Sequence, residues 1–172
     1  RSKIVMASEL SEYEMKGKEF RRSAFKGEQL FTSAIASVTE ARQPKVYFLQ
    51  SHGEHNPESD SNTGYSKFAK TLGETDISYG LLPGLSGHDI PADCQVLIIA
   101  GPDQVFLPDE VTRIDQYLSH GGRVFLLLNS NSAVKHTWLG FEKLFASWNL
   151  DVGLNVVQDT ANGKASDPAI VV

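Results

Sequence analysis

Two histidines and a glutamate stand within four residues of one another, and they are the strongest candidates for chemistry in this sequence. His52, Glu54 and His55 directly follow the apolar run Lys45–Gln50, in a polar loop that also contains Gly53. Imidazole and carboxylate groups can hold zinc or transfer protons. The competing interpretation is structural: His52 and Glu54 bond to backbone groups and hold the loop, while Gly53 permits a left-handed turn. The structural interpretation is favoured, with contact to a ligand or partner as the alternative.

A metal centre in this loop would need ligands from a second element, and the candidates are Asp60, Asp103 and His136. We expect none, and no cofactor either. No glycine-rich phosphate-binding motif follows any predicted strand, so nucleotide binding by those devices is unsupported. The single cysteine, Cys94, excludes an internal disulfide and a multi-cysteine metal site.

Two further polar loops complete the candidate site. Gly101-Pro102-Asp103 follows a strongly apolar run, at the turn where a nucleophile-elbow enzyme would carry a serine or cysteine. Neither residue type is there, and Pro102 removes an N–H that an oxyanion hole could use. Asp103 is therefore more readily interpreted as a turn or capping residue. In the third loop, Asn129 and Asn131 could bond to a ligand or equally to their own turns.

Apolar periodicity predicts the elements that position these loops. Nearly continuous apolar runs indicate strands buried on both faces, and apolar residues at helical spacing indicate helices. Strands are predicted at 45–50, 77–82, 95–100, 123–128 and 152–157, and helices at 26–43, 64–72, 108–120 and around 141–148. The charged stretch 8–22 shows no clean period and is interpreted as a loop, and 3–6 as a possible edge strand.

Helices that alternate with buried strands predict an α/β fold: a doubly wound, mostly parallel sheet in a three-layer α/β/α arrangement. We expect residues 45–157 to form this core domain, 1–44 an N-terminal extension with a helix, and 158–172 the start of a following segment. Ligands bind such sheets at the carboxyl ends of the strands. The three polar loops leave those ends, so the predicted ligand-binding residues are His52, Glu54, His55, Gly101, Asp103, Asn129 and Asn131.

Composition and charge argue against some classes of binding partner. The 172 residues carry a net charge of −5, which argues against nucleic acid. The basic cluster around Arg21-Arg22 is diluted by neighbouring glutamates, so a solvated face is favoured over a phosphate or lipid patch. No apolar run is long enough to span a bilayer. Because the chain starts at Arg1 and stops in the apolar run Ala169–Val172, we expect a fragment of a longer protein.

Several short segments together resemble a known family. They are Phe25–Gln29, Thr32–Ile35, Lys45–Leu49, His52-Gly53-Glu54, Ile98–Pro102, Tyr117-Leu118 and Gly121–Arg123. These segments look like the soluble domain of ABC-transporter auxiliary components, and are similar to the gliding-motility-associated ABC transporter substrate-binding-like proteins. The resemblance covers most of residues 25–157.

The resemblance implies a bacterial, membrane-anchored protein whose domain lies on the extracytoplasmic (periplasmic) face of the inner membrane, beside ABC permease and ATPase subunits. It implies a flavodoxin-like fold similar to class I glutamine amidotransferases, without their catalytic cysteine. We therefore expect a non-catalytic binding or interaction domain, with a small molecule or saccharide as a possible ligand. Two alternatives stay open: an amidotransferase- or hydrolase-like enzyme using His52, Glu54 and Asp103, and a protein-docking scaffold.

Overall fold

A computed structural model describes residues 2–39, 43–129, 138–153, 163–164 and 167–171. Its elements, in chain order, are β1 (Ser11–Lys16), β2 (Glu19–Phe25), α1 (Gly27–Thr39), β3 (Lys45–Leu49), α2 (Ser66–Glu74), β4 (Ser78–Leu82), β5 (Val96–Ala100), α3 (Pro108–Ser119), β6 (Val124–Leu127), α4 (Glu142–Ser147), β7 (Gly163–Lys164) and β8 (Asp167–Val171).

The central sheet has four strands in the order β4-β3-β5-β6, and every neighbouring pair is parallel. The predicted parallel α/β sheet is confirmed. After β3 the chain moves outward to β4, and then returns across β3 to β5 on its other side. The winding direction therefore reverses between β3 and β5. In open α/β sheets this reversal opens a crevice at the carboxyl edge, where ligands bind.

Strand side chains alternate between two apolar layers, as the period of two requires. Phe48, Ile98 and their neighbours pack under α2 on one face. Leu49 and Ile99 pack with α3 and α4 on the other face, around the fully buried Phe141 and Ile114. Covering both faces explains why these strands are almost uninterrupted apolar runs. The sheet is thus a rigid base for the loops at its carboxyl edge.

Helix α3 begins and ends as its sequence predicts. Pro108 occupies its first turn with Asp109 and Glu110, where a missing N–H costs nothing and negative charge is favoured. Gly121 follows the last turn with a φ of +86°, a left-handed conformation that glycine adopts without strain. Because α3 begins at Pro108, its first turn directly follows the loop after β5.

The N-terminal region differs from its prediction. The charged stretch interpreted as a loop forms an antiparallel hairpin of β1 and β2, and residues 3–6 are not a strand. Helix α1 forms where predicted, but Phe31 and Ile35 on its apolar face are exposed. Trp148, the last residue of the helix predicted around 141–148, is partly exposed and donates its indole N–H to Asp115. Residues 151–153 are not a strand, and the rest of the strand predicted at 152–157 lies outside the described residues.

Candidate functional site

The loops after β3 and β5 are joined by backbone hydrogen bonds at the carboxyl edge of the sheet. The N–H groups of Asp103 and Gln104 both donate to the His52 carbonyl, at 2.9 and 3.1 Å. The His55 N–H donates to the Ala100 carbonyl at 2.8 Å. The two loops predicted to meet therefore do meet, at the reversal point between β3 and β5.

Two glycines allow this close approach. Gly53 and Gly101 have φ values of +76° and +63°, in the left-handed region. A Cβ on Gly53 would overlap the Asp103 carboxylate, and one on Gly101 would overlap the His55 ring. A side chain at either position would therefore need both a strained backbone and displacement of a predicted site residue.

His52 is buried and bonds at both ring nitrogens. Its Nδ1 lies 2.7 Å from Ser51 Oγ and its Nε2 lies 3.0 Å from Glu110 Oε2. Its ring also stacks on Phe106, with centroids 3.8 Å apart. The bond to a carboxylate favours the tautomer with hydrogen on Nε2, so that Ser51 donates its hydroxyl hydrogen to Nδ1.

Glu110 is the principal residue of this cluster that the sequence did not identify. It is only 2% exposed. Its Oε2 accepts from the Leu107 N–H at 2.9 Å, which is the glutamate half of a capping box, and its Oε1 accepts from the Ser86 hydroxyl at 3.0 Å. With His52, these bonds join the loops after β3 and β4 to the start of α3. The available sequence signal was a glutamate at the third position of a helix.

The buried side chain of Glu54 stabilises the loop after β3. Its Oε2 accepts from the N–H groups of Ser51 and His52, at 2.8 and 2.6 Å. Its other oxygen, Oε1, is buried, has no hydrogen-bond partner among the described residues, and lies 3.8 Å from His52 Nδ1. The side chains of His52 and Glu54 thus form an inner layer that fixes the shape of the loop.

His55, by contrast, lies in an outer layer of partly exposed side chains. Its ring stacks on Tyr65 with centroids 5.1 Å apart, and its Nε2 lies 3.3 Å from Asn129 Oδ1. The Asn129 amide then donates to the Gly101 carbonyl at 3.1 Å. This chain of contacts links the loops after β3, β5 and β6 and gives them a common polar rim.

Asp103 also belongs to this rim. It is exposed, and its carboxylate makes no hydrogen bond or ion pair within the part of the chain that the structure describes. Its backbone is fixed by the bond to His52, so the carboxylate is held at the reversal point while its oxygens remain free to accept. A carboxylate that is fixed in place and can still accept hydrogen bonds is suited to a ligand that donates hydrogen bonds or carries positive charge.

Most of the predicted site residues therefore converge. His52, Glu54, His55, Gly101, Asp103 and Asn129 meet at the carboxyl edge, whereas Asn131 and His136 lie outside the described residues. Among the residues described, no three histidine, cysteine, aspartate or glutamate side chains are grouped as a metal ion requires. No described helix has the length and apolar character needed to cross a membrane.

Cys94 lies just before β5, at the opposite edge of the sheet. Burial raises the pKa of its thiol above the usual value, although the Tyr117 hydroxyl 3.6 Å away favours the thiolate. Burial also raises the pKa of Tyr117, to about 12. A buried thiol of raised pKa, remote from the polar rim, is a packing residue.

The fold and its edge define a class: a parallel α/β domain with a polar rim at its winding reversal and a buried inner layer of hydrogen bonds beneath it. A family described as an ABC-type uncharacterized transport system matches residues 43–166, which include the whole four-stranded sheet. The chain belongs to this family, and it is an auxiliary component of an ABC-type transport system. No curated protein and no solved structure shows significant similarity to the chain.

Proposed function

We propose that this domain is a non-catalytic binding or interaction module, and that its contact site is the rim formed by His55, Asp103 and Asn129. The observation that carries the proposal is the Asp103 carboxylate, which has no partner among the described residues and is held at the winding reversal by backbone bonds to His52. The inner layer of His52 and Glu54 holds the rim and does not itself contact the partner. Rigid support beneath a few convergent polar groups is the usual construction of a binding site.

The finer assignment rests on the resemblance to gliding-motility-associated substrate-binding-like proteins. On that basis the full-length protein is membrane-anchored, its domain is extracytoplasmic, and the rim faces a permease subunit or a small ligand such as a saccharide. The strand order β4-β3-β5-β6 supports a flavodoxin-like, amidotransferase-like fold. A rim rich in hydrogen-bond acceptors supports a hydroxyl-rich or cationic ligand.

Site-directed photo-crosslinking tests this proposal. A photoreactive residue replaces Gln104, exposed beside Asp103, in a protein co-expressed with its permease. A control replaces Gln95, exposed at the opposite edge of the sheet. We expect a permease adduct from position 104 that Asp103→Ala reduces, and none from position 95. In parallel, calorimetric titration with oligosaccharides and peptides tests direct ligand binding. Equal adducts at both positions, with no heat from any ligand, would reject the rim as the contact site.

One observation favours a second candidate, a hydrolase-like enzyme. Ser51, His52 and Glu110 form a continuous chain of hydrogen bonds of the kind that activates a serine nucleophile. We favour binding because the N–H groups of Ser51 and His52, the nearest candidates for an oxyanion hole, already donate to Glu54. A fluorophosphonate probe distinguishes the two functions. Labelling that Ser51→Ala abolishes would establish the enzyme, and we expect none.

A further inference from the structure

The β1–β2 hairpin carries most of its apolar side chains on one face and charged side chains of both signs on the other. Directly paired residues of an antiparallel hairpin share a face, and successive residues alternate between faces. The register pairs Tyr13 with Arg22 and Met15 with Phe20, which places these four on one face. Glu14 opposite Arg21 and Lys16 opposite Glu19 occupy the other face.

The first face is apolar and uncovered. Tyr13, Met15, Phe20 and Phe25 are 63%, 67%, 73% and 62% exposed. Phe25 belongs to this face because it pairs with Ser11 beyond the irregularity in register, and the Arg22 guanidinium lies 5.7 Å from its ring centroid. Four large apolar side chains on one side of an isolated hairpin form the kind of patch that marks an interaction surface.

The charge on this hairpin indicates what covers the patch. Residues 15–22 carry Lys16, Lys18, Arg21 and Arg22 against Glu19 alone, whereas the whole chain has a net charge of −5. Glu19 is paired with Arg21. In the described part of the chain, the other three cations have no carboxylate partner. The tip of the hairpin is therefore a local positive charge on an acidic protein.

We propose that this face, called here the hairpin face (Tyr13, Met15, Phe20, Arg22 and Phe25), binds the surface of an anionic phospholipid bilayer. Apolar and aromatic side chains enter the headgroup boundary, and flanking lysines and arginines extend toward the phosphates. Amphipathic elements bind membranes through buried apolar area together with attraction to anionic lipid. The contact would orient the sheet domain against the membrane that holds its transport system. It does not depend on the rim at Asp103.

Vesicle flotation of the full 172-residue chain tests the proposal. The vesicles contain phosphatidylcholine alone, or phosphatidylcholine with about 30% phosphatidylglycerol. We expect binding to the anionic vesicles, weakened by added salt, and at least about tenfold weaker binding for Met15→Ser/Phe20→Ser. The matched control, Val105→Ser/Leu150→Ser, removes exposed apolar side chains elsewhere and should bind as the wild type does. Failure of the wild type to float with anionic vesicles would overturn the proposal.

A charge variant tests the same face independently and keeps the apolar side chains. Lys18→Glu/Arg22→Glu should lower binding to anionic vesicles by about tenfold, whereas Lys67→Glu/Lys143→Glu, at exposed positions outside the hairpin, should change it little. Analytical ultracentrifugation tests whether a second copy of the chain, and not a bilayer, covers the hairpin face. A dimer that Met15→Ser/Phe20→Ser dissociates, with no vesicle binding, would assign the hairpin face to a second copy and overturn the lipid proposal. Neither result would bear on the rim at Asp103.

Discussion

Glu110 shows how one side chain can fix the geometry of an entire site. It accepts hydrogen bonds from the Leu107 N–H, from Ser86 and from His52, and so joins two loops to the first turn of α3. Each partner is a donor, so both carboxylate oxygens are needed as acceptors. The identity of this residue, and not only its volume, therefore matters for the site.

Replacing Glu110 with glutamine should be costly although the side chains have the same shape. The neutral amide weakens the bonds from His52 and the Leu107 N–H that the charged carboxylate accepts. Its NH₂ must either face these two donors or turn toward Ser86, whose hydroxyl would then have to accept and give up its own donated bond. We expect a loss of roughly 2–3 kcal/mol in the free energy of unfolding, measured by urea titration. Asp109→Asn, on the exposed neighbour, is the matched control and should cost under about 1 kcal/mol. Equal losses for the two variants would contradict the role assigned to Glu110.

The thiol of Cys94 should be unreactive in the folded protein. Because burial raises its pKa, the reactive thiolate is scarcer near pH 8 than for a free cysteine, and burial also restricts access. We expect modification by a disulfide reagent to be at least about tenfold slower in the native chain than in the urea-unfolded chain. Similar rates in the two states would show that the segment before β5 opens readily.

At the level of elements, the two loops that meet at the rim depend on Gly101. It is buried at the end of β5, and its φ of +63° is combined with close contact to His55 and Asn129. Gly121 is the informative comparison, because its φ is +86° but a Cβ there would meet open space. The two positions share a left-handed backbone, which is strained for any residue with a Cβ, and they differ in the steric overlap that a Cβ would cause.

Alanine substitution separates those two effects. Gly121→Ala should cost about 1 kcal/mol, from the left-handed backbone alone. Gly101→Ala should cost roughly 2–4 kcal/mol and weaken any binding at the rim, because His55 must move. Thermal unfolding and urea titration measure both. A Gly101→Ala variant as stable as Gly121→Ala would mean that the rim rearranges freely.

The sheet could be predicted from sequence because burial on both faces produces continuous apolar runs such as Lys45–Leu49. The loops at its carboxyl edge followed from the same topology. Glu110 could not be placed, since its bonds to His52 and Ser86 join residues far apart in the chain. The hairpin was missed although Glu12-Tyr13-Glu14-Met15-Lys16 alternates with period two, because charge obscured that alternation.

At the scale of the whole molecule, the N-terminal hairpin and α1 are attached to the sheet domain mainly through polar contacts. Lys3 pairs with Asp76, and Lys26 bridges Glu12 and Glu74. Neither strand of the hairpin joins the four-stranded sheet, and the apolar face of α1 is largely exposed. Exposed ion pairs contribute little stability compared with buried apolar packing.

Hydrogen exchange should therefore divide the chain into two levels of protection. We expect amides of α1 and the hairpin to exchange at least about tenfold faster than those of β3 and β5, because local opening there exposes little apolar surface. Mass spectrometry of peptides from the two regions provides the measurement. Uniform protection across both regions would show that the N-terminal elements unfold only with the sheet.

The ion pair between Lys3 and Asp76 should make the attachment of the N-terminal segment depend on pH. The direction of this dependence follows from the pKa of Asp76. The hydrogen bond from Lys3 lowers the pKa of this carboxyl below its usual 3.8. A carboxyl whose pKa is lowered in the folded protein stabilises the attached state at pH values above its usual pKa. This contribution is lost as pH falls through the pKa of the folded state.

Asp76→Asn mimics the protonated form, and asparagine accepts the local φ of +61°. We expect the variant to show faster exchange than wild type in residues 2–39 near pH 7, and this difference to shrink as pH falls below 3.8 and through the lowered pKa of Asp76. Asp93→Asn is the control, because Asp93 pairs with Lys45 inside the sheet domain and its loss should leave N-terminal exchange unchanged. A difference between wild type and Asp76→Asn that persists at acid pH would show that the ion pair is not what holds the N-terminal segment to α2.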